Sequence, residues 1–208
     1  MSPPPSDIPE PPGSAVLAVP EIRDYALINR ELARLLDEGV RRVELSGVRG
    51  QRLIASGLKG PWEATVVVGG DAGPELARGL DAPGLTVVCR GGAADGLAQG
   101  LVRGRVAVEG DAGDGAGYGQ VGGTILIRGD AGHRAGLLQR GGMLVVLGKV
   151  GRLVGERQGG GLLVARPARD GPDVGRGRRG GRLIRLDRPI PWPSADYAEL
   201  EAAVLRLT

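Results

Sequence analysis

The chain has no phenylalanine, and aromatic residues make up only 2% of it. A core without large rings has to be closed by Val, Leu, Ile and Ala, so its layers must lie close together. Cysteine occurs once, at Cys89. That excludes an intrachain disulfide, and with it the small stapled scaffolds of secreted proteins. One Cys and one His, Cys89 and His133, do not make a zinc site. No apolar run reaches the roughly 20 residues that a membrane-spanning helix needs. The N-terminal stretch lacks the charged and apolar pattern of a secretory leader, so a cytoplasmic location is expected. Lysine is nearly absent, at Lys59 and Lys149 alone, and the net charge of +3 rests on arginine. Arginine spread along the chain reads as compositional bias, and neither nucleic acid nor membrane is expected as a partner.

What the chain does have is glycine, 39 residues of 208, and it falls in register. Gly110, Gly129 and Gly148 form one series at a spacing of 19. Gly113, Gly132 and Gly151 form a second, Gly117, Gly136 and Gly155 a third, and Gly104, Gly123, Gly142 and Gly161 a fourth. Each unit reads G-x-x-G-x-x-x-G, then a short link, then a five-residue run. The runs are Arg105 to Glu109, Thr124 to Arg128, Met143 to Leu147 and Leu162 to Arg166. Glycine is not every third residue, which excludes collagen. A fixed period near 20 means stacked copies of one small unit. The expected fold is all-β: a single-stranded right-handed β-helix with coils of about 19 residues and one helix flanking each end. Alternation places Val87 and Cys89, Val106 and Val108, Ile125 and Ile127, Leu144 and Val146, and Leu163 and Ala165 inside. The glycines are structural, marking corners with positive φ or close approach between coils.

Along the chain, residues 1–18 read as a disordered proline-rich arm. Residues 19–190 read as a helix followed by the β-helix. The helix runs from Asp24, its N-cap, to Glu38, with Tyr25, Ile28, Leu32, Leu35 and Leu36 on one face and Gly39 beyond its end. Val40 to Leu45 reads as a strand, and Ala64 to Val68 as the first strand of the repeat. Trp62 is expected over the open first end of the stack. The Arg/Gly tract from Arg166 to Arg182 reads as a mobile loop between coils. Residues 191–208 read as a closing helix with Tyr197, Leu200, Val204 and Leu207 on its apolar face.

No catalytic set emerges. There is no G-x-S-x-G and no G-K-[ST]. His133 lies in a glycine turn, in register with Asp114 and Arg152 but with no nucleophile. Cys89 shares its repeat position with Val108, Ile127 and Val146 and reads as a small buried hydrophobe. Asp71, Asp111 and Asp130 share a turn position, interrupted by Gly92 and Lys149. They read as caps for turn N–H groups rather than a calcium column. Catalytic, cofactor-binding and metal-binding residues are accordingly expected to be absent.

The triple glycine unit resembles the β-helix domain at the C-terminal end of the glutamate synthase large subunit. Leu45-Ser-Gly-Val-Arg-Gly-Gln51, preceded by a helix containing Ile28-Asn29-Arg30, resembles the opening of that domain. The resemblance spans roughly residues 20 to 187. The same β-helix occurs in the β-helical subunit of formylmethanofuran dehydrogenase, in the related formyltransferase/hydrolase complex, and in a small subunit of a methylamine–glutamate methyltransferase. In the glutamate synthase family the domain is structural, packing beside glutaminase and flavin-bearing synthase domains that hold the catalytic residues, FMN and iron–sulfur clusters. The resemblance therefore implies a non-catalytic assembly subunit of an oxidoreductase complex in nitrogen metabolism. It would bind no cofactor itself. Its partners would be catalytic subunits of amidotransferase and flavin-bearing synthase type, with a homo-oligomer as a further option. A formylmethanofuran dehydrogenase or formyltransferase/hydrolase scaffold is the alternative.

Overall fold

A computed structural model describes residues 13–19, 24–169 and 171–187. They form a parallel β-solenoid, the fold class expected from the repeat. Its strands are β1 (Ser14–Ala18), β2 (Arg42–Ser46), β3 (Ala64–Val68), β4 (Asp81–Cys89) and β5 (Arg103–Val108). They continue with β6 (Thr124–Ile127), β7 (Met143–Val150), β8 (Leu162–Pro167) and β9 (Arg182–Arg185). One helix, α1 (Tyr25–Asp37), occurs among the described residues. Each strand pairs in parallel with the next in sequence, giving a nine-stranded sheet ordered β1 to β9. The glycine period is the stacking register, since Arg105, Thr124, Met143 and Leu162 are successive Cα partners.

The inner columns are those read from alternation. Val87, Val106, Ile125, Leu144 and Leu163 stack in one, and Cys89, Val108, Ile127 and Val146 in another. Each is at most 1% exposed. Fully burying one such branched side chain is worth about 1.5–3 kcal/mol. A second apolar cluster lies on the opposite sheet face: Leu126, Met143, Val145, Leu162, Val164 and Ile184.

The first three of the four glycine series have two different causes. A Cβ on Gly110, Gly129 or Gly148 would meet a carbonyl carbon of the preceding coil at 3.0, 2.7 and 2.5 Å. One on Gly113, Gly132 or Gly151 would do so at 2.9, 2.9 and 3.0 Å. Gly117, Gly136 and Gly155 instead have φ of +66°, +70° and +65°. Ala77 and Ala98 hold that same position in earlier coils at +56° and +50°. Left-handed backbone costs a non-glycine residue roughly 1 kcal/mol or more, so at this one position Ala77 and Ala98 carry strain that glycine avoids in the later coils.

Helix α1 closes the first end. Asp24 accepts the Ala26 N–H at 2.8 Å, and Gly39 follows the C-cap at φ +85°. Ile28, Leu32 and Leu36 are buried, Leu35 is half-buried and Tyr25 is exposed. At one corner of every later coil, an N–H donates to a carbonyl of the coil before it. Ala77 donates to Ile54 (2.8 Å), Ala98 to Leu76 (2.7 Å) and Gly117 to Leu97 (2.8 Å). At the first coil, Ala55 N–H donates to Asn29 Oδ1 at 2.8 Å instead, while Asn29 Nδ2 donates to the Leu53 carbonyl at 2.8 Å. Asn29 thus stands in for a missing coil. Trp62, half-buried, donates from Nε1 to Asp37 at 2.8 Å and ties the helix end to the stack.

Three expectations need correction. Residues 14–18 are not part of an arm: they form β1, with Leu17 beside Leu45 and the strand hydrogen-bonded to β2. The sheet therefore begins two strands before Ala64, because β1 and β2 already run parallel to β3 in register. The tract from Arg166 to Arg182 is no loop between coils. Gly175, Arg179 and Arg182 donate to Val154 (2.8 Å), Gln158 (2.9 Å) and Gly161 (2.8 Å), which makes it a further coil. Its glycines at Gly175 and Gly181 repeat the positive-φ corners, at +66° and +71°. The closing helix at 191–208, the boundary at 190 and residues 1–12 of the arm lie outside the described residues.

Candidate functional site

The polar side chains of the corners are arranged in columns, and most are spent on the next coil. Asp71 accepts the Gly92 N–H, Asp111 the Asp130 N–H and Asp130 the Lys149 N–H, each at 2.7 Å. A second column begins at Asp95, which accepts the Asp114 N–H at 2.8 Å. Asp114 then accepts the His133 N–H at 2.7 Å. His133 continues the pattern, its Nδ1 accepting the Arg152 N–H at 2.9 Å. The aspartates cap N–H groups, as their turn position implied, but the N–H belongs to the following coil and not to their own turn. With Nδ1 occupied as an acceptor, the neutral ring carries its proton on Nε2. Neither nitrogen of the neutral imidazole is then a free base.

Beside His133 lies a groove of about 510 Å³, lined by Arg152, Leu153, Ala168, Pro172, Asp173 and Val174 among others. Arg152 Nε and Nη2 both donate to Asp173 Oδ2, at 3.1 and 3.0 Å. Among the described lining residues there is no Ser, Thr, Cys or Lys. Cys89 is elsewhere, in the core, with Sγ 3.3 Å from the Gly70 and Gly92 carbonyls. Burial pushes its thiol pKa up, which keeps it protonated and unreactive near neutrality. Among the described residues no three His, Cys, Asp or Glu side chains converge as a metal-ligand set. No described helix is long and apolar enough to cross a membrane.

Inside the solenoid runs a third column that reading the sequence for glycine had missed. Gln120, Gln139 and Gln158 are fully buried. Gln139 Nε2 donates to Gln120 Oε1 at 3.0 Å, and Gln158 Nε2 to Gln139 Oε1 at 2.9 Å. Each Nε2 also donates to a carbonyl on the strand of the following coil: Met143 (3.1 Å), Leu162 (3.2 Å) and Arg182 (3.1 Å). The column ends at Gln158, whose Oε1 is buried without a partner. The signal was present in the sequence, since the three glutamines repeat at the glycine period. All nine structural glycines, and Asp71, Asp111, Asp130 and His133, sit at the corners; of these, Gly151 and His133 border the groove.

No family model matches the chain, and no curated protein matches it in sequence. The assignment of function therefore rests on the residues themselves.

Proposed function

We propose that this protein is a cytoplasmic, non-catalytic assembly subunit of a glutamate synthase-like complex, on which amidotransferase and flavin-bearing synthase subunits are organised. The glycine unit and the Ile28-Asn29-Arg30 and Leu45-to-Gln51 opening are what favour that family. The observation that carries the scaffold reading is the use made of the corner side chains. Asp71, Asp95, Asp111, Asp114, Asp130 and His133 each accept a backbone N–H from the next coil. Groups committed in this way hold a rod in register.

The test is affinity purification of the tagged full chain from its native cell under gentle conditions. The expected outcome is co-purification of an FMN-containing oxidoreductase, with no flavin absorbance in the isolated chain. A monomer that captures no partner overturns the proposal. An amidohydrolase-like partner in place of the flavoprotein would move the chain to a formyl-transfer complex, and would likewise overturn the glutamate synthase assignment.

A further inference from the structure

The corners of the solenoid change character along its length. In the early coils charge is balanced: residues 41–133 carry ten Lys and Arg against ten Asp and Glu, and Glu75 is held by Arg78 at 2.8 Å and by Arg52 at 3.2 Å. In the last coils charge is not balanced. Arg134, Arg140, Arg157, Arg176 and Arg179 lie at the surface, and none makes an ion pair among the described residues. Backbone bonds place two of them beside another arginine. The Arg157 N–H donates to the Arg176 carbonyl at 2.8 Å, and the Arg134 N–H to that of Arg152 at 2.8 Å. Arg140, Gly159 and Arg179 occupy one column, donating in turn to Gln120, Gln139 and Gln158. At the described late corners the carboxylates are Glu156 and Asp173, Asp173 is already taken by Arg152, and Arg134 also borders a groove shared with Glu75, Asp95 and Asp114.

We propose that this arginine face is a docking surface for an acidic protein segment that carries an apolar side chain. Unpaired guanidinium groups on neighbouring coils repel one another, and that cost is relieved when carboxylates dock. The planar fork suits a carboxylate bidentately, which an ammonium does not. Coils stack at about 4.8 Å, and carboxylates on one side of an extended acidic strand recur at about 6.6 Å, so one segment running along the stack reaches successive coils. The adjoining groove, walled by Leu153, Pro172 and Val174, receives the apolar side chain. A single-stranded nucleic acid would need aromatic platforms for its bases. The arginine-bearing corners offer a single ring, Tyr118, which shares a groove with Arg134, and no row of them among the described residues.

The inference rests on the scaffold reading for the existence of a partner, and its test uses a synthetic probe so that the two stand or fall separately. The probe is a fluorescein-labelled glutamate-rich peptide with one central leucine, titrated with the full chain by anisotropy. Labelled oligouridylate of the same charge is run in parallel. The expected result is saturable peptide binding that weakens about tenfold or more between about 50 and 200 mM salt. Arg157→Glu with Arg176→Glu should weaken it at least tenfold. A second double variant, Arg134→Glu with Arg140→Glu, should do the same and guards against misfolding of the first. The pair Arg52→Glu with Arg78→Glu on the early coils should leave binding unchanged. Absence of peptide binding, undiminished binding by the folded late-coil variants, or tighter binding of oligouridylate each overturns the docking face. A failed pull-down with intact peptide binding would instead overturn only the glutamate synthase assignment.

Discussion

Two kinds of column tie coil to coil in this molecule, one of carboxylates at the surface and one of amides in the interior. Asp111 and Asp130 are exposed and each caps an N–H of the following coil. Gln120, Gln139 and Gln158 are buried and bond to one another. The geometric task is the same, repeated once per coil. The chemistry differs because burial decides it. An ionised carboxylate at the surface stays hydrated on its free oxygen, whereas the same group inside would carry a desolvation penalty of several kcal/mol. A neutral primary amide has a donor and an acceptor, so it can both give to one neighbour and take from another. A carboxylate can only accept, which is why each aspartate ends on a backbone donor and the aspartates do not bond side chain to side chain.

Breaking the buried column should have the largest effect. Gln139→Leu fits the space, since Leu101 lies one coil before Gln120 in the same column. It leaves Gln120 Oε1 buried without its donor and takes the acceptor from Gln158 Nε2. The expected loss is about 3 kcal/mol, because an orphaned buried polar group costs more than a made bond returns. Changing all three glutamines to Leu should cost less than three such losses, since no amide is left orphaned. Urea unfolding of the single and triple variants checks both. Strict additivity would mean that the ladder is three independent side chains.

Next in size is the corner that the aspartates depend on. Gly129→Ala puts a Cβ 2.7 Å from the carbonyl carbon of Gly110 and against the Asp111 carboxylate. The coil must move, at a cost of about 2 kcal/mol. Thermal unfolding of this variant should show a greater loss than Ala at Gly115, a corner glycine with open space around its Cβ position and a φ of +72°. An equal loss at both positions would mean that the close contact between coils at Gly129 costs no more than the left-handed backbone does at Gly115.

Asp130→Ala removes an exposed clamp and should cost about 1 kcal/mol, because water takes over the Lys149 N–H. Asp130→Asn keeps the accepting oxygen and should be nearly neutral. A large loss for Asn would show that charge, and not the hydrogen bond, does the holding.

The surface column was legible in the sequence and the buried one was not, for physical reasons. Aspartate after glycine in a tight turn has few uses, and Asp71, Asp111 and Asp130 follow one another in register. The inner strand columns were equally readable from alternation. Glutamine inside a core runs against its usual exposure, so composition alone does not single out the repeat of Gln120, Gln139 and Gln158. The outer-face cluster was signalled by Met143 to Leu147, a continuous apolar run of the sort that belongs to a sheet covered on both faces. Asn29 was seen only as part of a motif; its bond to Ala55 becomes meaningful once the first coil is known to lack a predecessor. The Arg/Gly tract misled because its composition is that of flexible segments. Its glycine spacing already matched a coil.

The smallest effect sharpens the surface half of the comparison by asking what a carboxylate contributes when its partner is a cation and not a backbone N–H. Asp81 accepts from Arg103 Nε at 2.5 Å, and that hydrogen bond holds its carboxyl below the ordinary range. A carboxyl whose folded pKa is depressed adds stability above its unfolded pKa, about 3.9 for Asp, and loses it as the pH falls through the folded value. The contribution is therefore complete near neutrality and disappears in the acid range below about pH 4. Asp81→Asn should be less stable than the parent chain at pH 6, and the gap should narrow as the pH falls below about 4. Added salt should narrow it as well, since both partners face water. Urea midpoints of the two chains across that range decide the matter. A gap that stays constant with pH would assign the loss to packing around Asp81 and not to its charge.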